Sequence, residues 1–362
     1  MNSDADQFPD TLDNLILINE GSLRRPGCLP VGLKSLLLDN LLDFDRPLWP
    51  GILPPRLESL KLGRSFNQPI PRGALPATIK ELSFGVNFNQ PLDINNLPPS
   101  LTNLSLAYSS FNHALSNLPT NLTHLALGAD YNQPIDCLPP LLEMLRLSSR
   151  SPSFKPNATF PQLKVLLFTG INPDVLANVT SIAFPSLVNL KIHGIIEQPN
   201  VETGPPLDLG HLPSTLKSLL VITKRTFTSL PNSIDTLTLG HFTRGDPITI
   251  VRGLPHSLTA LNIFSYIHQI DIEALPSSLR SLEFTHSTRE VNDLATLVSK
   301  LPESVVSLKL SGQPYYLLKI TNNLFFKYSQ NLQSTGFIDL PTLQAYIQYV
   351  NTQQQQQQQQ QE

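Results

Sequence analysis

Leucines recur along this chain in a short frame, LPxxLxxLxL, with polar or small residues at most of the x positions. Leu53-Pro54 leads to Leu57, Leu60 and Leu62, and Leu118-Pro119 leads to Leu122, Leu125 and Leu127. The closing LxL alternates as a half-buried strand does, so Leu60 and Leu62 point one way and Lys61 the other. Proline donates no backbone hydrogen bond and is disfavoured at a strand centre. Its place three to eight residues before the leucines assigns it to the turn that enters the strand. Fourteen such prolines, each after Leu or Phe, run from Pro9 to Pro302 at spacings of 18 to 28 residues, averaging near 22.5. Two units, "FPQLKVLLF" from Phe160 and "FPSLVNLKI" from Phe184, lack one residue after the proline.

A coil of this length cannot bury its own leucines, but stacked coils can, each covering the next. The pattern predicts a leucine-rich-repeat-like solenoid of about fourteen coils of ~22 residues. Its strands form one long parallel sheet, roughly 60 Å at about 4.8 Å per strand, and the opposite face is mostly irregular. Residues 1–7 read as a short lead, 8–310 as the solenoid, 311–350 as a C-terminal cap and 351–362 as a disordered poly-Gln tail. With seven residues before Phe8, the N-terminal cap is expected to be small or to be made by the first coil itself. In the cap, Leu340, Leu343, Ile347 and Val350 fall on one helical face, Asp339 suits the N-cap and Pro341 the first turn. This predicts a capping helix; a free amphipathic recruitment helix is the alternative.

A second motif sits within the period. "FNQPI" at 66–70 returns as "FNQPL" at 88–92, "FNHAL" at 111–115 and "YNQPI" at 131–135. These segments, in the Leu-Pro-leucine frame, resemble the FNIP repeat family, named for a Phe-Asn-(Ile/Gln)-Pro core in a unit near 22 residues. The leucine frame extends the resemblance over about Phe8 to Leu310, although "FNHAL" and the units after Tyr131 depart from the full signature. The resemblance implies a repeat solenoid. Some family members join their repeats to an F-box or a kinase domain, and neither is expected within these 362 residues.

Phe66, Phe88, Phe111 and Tyr131 track the period, so they are expected to stack as a column behind the leucines. Asn67, Asn89, Asn112 and Asn132 then fall in the bend after each strand, where a side-chain amide satisfies backbone groups of its own and adjacent coils. The motif therefore reads as a structural ladder in preference to a ligand site. Cys28 and Cys137 each lie two residues before a repeat proline and read as small buried fillers.

Composition narrows the function classes. Twenty-five basic against 28 acidic residues, with no Lys/Arg run, argue against a nucleic-acid footprint. Two cysteines argue against a disulfide scaffold. No secretory signal and no apolar stretch of spanning length is present, so the chain reads as a monomeric, intracellular, cytoplasmic protein without a membrane partner. The eight histidines show no metal spacing, and no nucleotide loop, hydrolase elbow or kinase signature occurs. No enzyme, metal or cofactor is expected.

The polar strand positions are the candidate protein-binding face: Lys61, Glu81, His124, Arg146, Lys191, Asn262, Glu283 and Lys309. Long spacings mark loops at 148–159 and 193–208, a second place for a partner to bind. The favoured function is a scaffold that binds as yet unidentified protein partners through this face. The alternative is a substrate-recognition subunit of a ubiquitin ligase with a divergent adaptor-binding segment.

Overall fold

The computed structural model describes residues 8–9, 11–17, 26–38, 44–115, 117–196, 204–240, 253–264, 275–284, 301–309, 315–321, 324–329, 336–343 and 345. Two compact units divide the chain, residues 1–196 and 197–362.

Among the described residues the first unit holds nine strands: β1 (Asn14–Leu17), β2 (Ser35–Leu38), β3 (Ser59–Lys61), β4 (Glu81–Ser83), β5 (Asn103–Leu106), β6 (His124–Leu127), β7 (Met144–Leu147), β8 (Val165–Ile171) and β9 (Asn189–Ile195). Each pairs in parallel with the next. The register is set by the repeat: Leu36, Leu60, Leu82, Leu104, Leu125, Leu145, Leu166 and Leu190 are partnered in series, and all are buried. The residues between the leucines are half-buried or exposed, which is the alternation expected of a sheet with one solvated face.

The proline turn recurs with the same hydrogen bond. The carbonyls of Pro54, Pro76, Pro98 and Pro119 accept from the backbone N–H of Leu57, Ile79, Leu101 and Leu122, three residues on. In the two shortened units the aromatic residue before proline supplies the acceptor: Phe160 O takes Leu163 N–H, and Phe184 O takes Leu187 N–H. The turn thus survives the deletion by moving its carbonyl back one position.

Behind the sheet stands the aromatic column. Phe66 stacks on Phe88 at 6.1 Å and Phe111 on Tyr131 at 6.2 Å, with rings within 10° of parallel, and all four are buried. Beside it runs a ladder of amides. Asn67 Oδ1 accepts from Asn89 N–H (2.8 Å), Asn89 Oδ1 from Asn112 N–H (3.0 Å), and Asn112 Oδ1 from Asn132 N–H (3.0 Å). Each coil's side-chain oxygen accepts from the next coil's backbone donor at the exposed edge of the column, tying neighbouring coils together. The ladder also takes in one unit more than the motif suggests. "FDRPL" at 44–48 places Phe44 on Phe66 at 5.9 Å, and Asp45 Oδ1 accepts from Asn67 N–H at 2.8 Å. An aspartate oxygen performs the asparagine's task.

Tyr131 is the exception within the column. Its ring is fully buried, and its hydroxyl has no hydrogen-bond partner among the described residues. Burial, aided by the Asp136 charge, pushes its pKa up to about 12. The unfolded chain ionises first, near pH 10, so stability present below pH 10 is lost as pH rises toward 12. Tyr131→Phe removes the unpaired hydroxyl. It is expected to stabilise the protein by about 1–3 kcal/mol at pH 7 and to flatten the loss above pH 10. Urea unfolding at pH 7 and pH 11 checks both; a less stable variant at pH 7 contradicts the reading.

Loop 148–159 is tied into the unit. Phe154 forms a parallel bridge with Ile135 and meets Phe160 and Phe184 at ring distances of 5.6 and 5.5 Å. A 3-10 helix, Pro173–Asn178, follows β8 and is capped by Asn172, whose Oδ1 accepts from Asp174 N–H. Neither cysteine is the buried filler that the sequence suggests. Cys28 is half-buried and Cys137 is exposed, because Ile135 takes the buried position there and residues 136 and 137 face outward beside the Asp136–Lys155 ion pair.

The second unit contains β10 (Leu207–Asp208), β11 (Ser218–Ile222), β12 (Phe227–Ser229), β13 (Thr236–Gly240), β14 (Ala260–Phe264), β15 (Ser281–Phe284), β16 (Ser307–Lys309), β17 (Tyr315–Thr321), β18 (Leu324–Ser329) and β19 (Gly336–Asp339). Within this unit β11, β13, β14, β15 and β16 pair in parallel in series with their leucines in register, and β10 pairs separately with β12. Among the described residues, each of the fourteen proline units thus delivers one parallel strand: nine in the first unit and five in the second. The chain is a leucine-rich-repeat-like β-solenoid with very little helix.

The C-terminal segment contains more than a helix. β17 turns antiparallel on β16, and β18 and β19 follow antiparallel in turn. Leu317, Phe325 and Leu343 are buried, and Lys319 Nζ donates to the carbonyls of Leu301 and Pro302 at 3.1 Å each, clasping the last proline turn. Helix follows at residues 340–343 and 345, and Asp339 Oδ1 caps it by accepting from Thr342 N–H at 2.8 Å. The lead 1–7, the cap positions Ile347 and Val350, and the poly-Gln tail lie outside the described residues.

Candidate functional site

The strand face of the first unit carries a groove of about 640 Å³ spanning β2 to β7. Register places its floor. Lys61, Ser83, Ser105, Ala126 and Arg146 are successive partners along one row, and Ser59, Glu81, Asn103, His124 and Met144 along the adjacent row. The first row begins and ends on a cation, with three small residues between. At about 4.8 Å per strand, the backbone positions of Lys61 and Arg146 lie roughly 19 Å apart. The hollow exists because Ser83, Ser105 and Ala126 have little side chain to fill it.

One wall comes from residues just past the strands. Arg64, Val86 and Tyr108 each stand two positions after the last apolar residue of their unit and line the groove. Val86 is 41% and Tyr108 71% exposed, and the Arg146 guanidinium lies over the Tyr108 ring, 5.9 Å from its centroid. The wall can approach the floor because Gly63 and Gly85 connect them. A Cβ on Gly85 would sit 2.2 Å from the Gly63 carbonyl oxygen, so neighbouring coils come close only without a side chain there.

The charges of the groove are unequally satisfied. Glu81 accepts from Ser59 Oγ at 3.1 Å, and His124 Nδ1 lies 2.9 Å from Thr123 Oγ1. Lys61, Arg64 and Arg146 have no carboxylate partner among the described residues, and Arg146 Nε is buried without a hydrogen bond. Two strands beyond Arg146 in the same row stands Lys191. Burial, together with the charges of Lys191 and Arg146, holds the nearby His193 imidazole below its ordinary value. The field at this end of the face is positive, although the chain as a whole carries −3.

Of the eight candidate residues, the structure brings Lys61, Glu81, His124 and Arg146 into one groove, with Lys191 beyond it. Asn262, Glu283 and Lys309 belong to the second unit, where they form a row of their own. There, Lys309 Nζ pairs with Glu283 Oε1 at 2.5 Å, and Asn262 Nδ2 reaches Thr238 Oγ1, so these groups are already engaged. The wall residues Arg64, Val86 and Tyr108 are absent from the sequence-based candidates. Their common offset from the LxL was the available signal.

The FNIP Repeat family matches the chain at residues 25–65, 44–87, 66–109, 88–117 and 111–150. Together the matches cover residues 25–150, about a third of the chain. The matched span includes the stacked rings from Phe44 to Phe88 and the Phe111–Tyr131 pair, together with every strand that lines the groove from β2 to β7. Among solved structures, CroV588, described as a circular leucine-rich-repeat protein, is 26% identical over 85% of this chain with a TM-score of 0.58. This chain spans 44% of that protein, less than half its length. YopM from Yersinia enterocolitica is 20% identical over 71% of this chain and 70% of its own, at a TM-score of 0.31 too low to support further comparison. No curated protein matches. No group of three or more His, Cys, Asp or Glu capable of holding a metal occurs among the described residues, and no described helix is long and apolar enough to cross a membrane.

Proposed function

We propose that this FNIP-repeat solenoid is a non-enzymatic scaffold that binds another protein through the strand face of its first unit. The observation that carries the reading is the groove across β2–β7, where exposed apolar side chains and cations without carboxylate partners among the described residues line one hollow. Tyrosine and arginine are the residue types that most often anchor protein interfaces, and parallel strands from several coils offer many small contacts on one surface. The motif residues Phe66, Asn67, Phe88, Asn89, Phe111, Asn112, Tyr131 and Asn132 are committed to ring stacking and inter-coil hydrogen bonds, which supports a structural role for them. Two unbridged thiols support an intracellular location.

A photo-crosslinking amino acid placed at Ser105, on the groove floor, is expected to form adducts with another protein in the source cell. The same group at exposed Asn95, in a turn away from the strands, is expected to form none. Adducts from Asn95 alone, or from neither site, overturn the strand-face reading.

A further inference from the structure

We infer that the groove takes an extended, acidic peptide segment laid across the strands, with carboxylates at its two ends and small or apolar residues between. This rests on the strand-face reading above and specifies the occupant.

Charge complementarity identifies the chemistry. Lys61 and Arg64 stand at one end and Arg146 at the other, none with a carboxylate partner among the described residues. Roughly 19 Å of sheet separates the ends, at about 4.8 Å per strand. Cations so far apart cannot converge on one small anion, so the ligand must itself be long. An extended chain advances about 3.4 Å per residue, which sets its acidic residues some five or six positions apart. The middle of the site asks for something different. Ser83, Ser105 and Ala126 leave room without charge, while Val86 and Tyr108 offer apolar contact. Glu81, near the Lys61 end, opposes a third acid between the two.

A nucleic acid fits less well. Its backbone needs a continuous cationic track, whereas this row has uncharged residues across three successive strands and a carboxylate alongside. The cations are also more than a generic solvated face. Elsewhere on this unit lysines pair with acids on adjacent coils, as in Lys34–Asp13, Lys80–Glu58 and Lys164–Glu143. Those within the groove are left unmatched.

The test selects binders to the full chain from a randomised twelve-residue peptide library displayed on phage. The inference expects selected sequences with Asp or Glu pairs five or six positions apart around an uncharged centre. A synthetic peptide of that consensus is expected to lose at least tenfold in affinity to Lys61→Gln with Arg146→Gln, and also between 50 and 500 mM NaCl. Lys80→Gln with Lys164→Gln, which removes the same charge outside the groove, is expected to bind as the parent does. Circular dichroism confirms that each double variant is folded. Selected peptides that lack the acidic pair yet crosslink from Ser105 overturn the inference and leave the strand-face reading standing. Equal losses in both double variants, displacement by a (dT)20 oligonucleotide, or no selected peptide at all also overturn it. Absence of any protein adduct from Ser105 removes the underlying reading instead, and with it this one.

Discussion

Phe88→Ala is expected to destabilise the first unit by about 3–5 kcal/mol, the range for truncating a large buried aromatic side chain. Phe88 is completely buried. It stacks on Phe66 at 6.1 Å and on Phe84 at 3.8 Å, so the truncation removes two ring contacts as well as transfer energy. Aromatic pairs contribute about 0.5–1.5 kcal/mol each beyond buried area, which places the loss toward the upper part of the range. The cavity would open between two coils, where collapse is resisted because the Asn67–Asn89–Asn112 hydrogen bonds fix their separation. Urea unfolding gives the value directly if the slope is unchanged. A loss below about 1 kcal/mol would mean that the column is peripheral to stability. A ligand-binding Phe88 would instead leave stability nearly intact.

Gly85→Val should be comparably damaging for a steric reason. The first added carbon would lie 2.2 Å from the Gly63 carbonyl oxygen, 2.6 Å from its carbon and 2.8 Å from the Arg64 Cα. These are backbone atoms, and no rotamer change relieves the clash. The coils must separate, which stretches the β3–β4 pairing and the adjoining Phe column. Overpacking typically costs about 1–3 kcal/mol and occasionally more; with backbone as the obstacle, the upper end or beyond is expected. The lesion is local in a repeat array, so hydrogen exchange should show the backbone amides of β3 and β4 losing protection before those of β8 and β9. Uniform protection matching the parent protein would contradict the account.

These two positions show how differently the architecture can be read from residues. Phe88 is visible in sequence, because aromatic residues at 66, 88, 111 and 131 keep the coil period. Gly85 follows a strand as Gly63 and Gly128 do, yet its need for glycine depends on a neighbouring coil's carbonyl, which only the stacked structure supplies. Asp45 was hidden because "FDRPL" breaks the Phe-Asn signature, while the ladder requires merely an oxygen that accepts a hydrogen bond. The C-terminal strands had a readable signal: two runs rich in aromatic and β-branched residues, "YYLLKIT" and "LFFKYS", flank Asn322-Asn323 as strands flank a hairpin turn. The helical periodicity of Leu340, Leu343, Ile347 and Val350 begins only after them.

The sequence by itself determined the coil, one proline turn and one LxL strand per unit, since both depend on local backbone preference and a two-residue alternation. It also determined which residues face outward. Whether those residues form a site was decided only by the tertiary structure. Lys309 neutralises Glu283 on the adjacent strand, while Lys61, between Leu37 and Ser83 in its row, and Arg146, between Ala126 and Leu167, have no carboxylate partner among the described residues. Charge pairing and the depth of a hollow depend on side chains brought within a few ångströms from positions about 20 or more residues apart, and a repeat period fixes their row without fixing who their neighbours are.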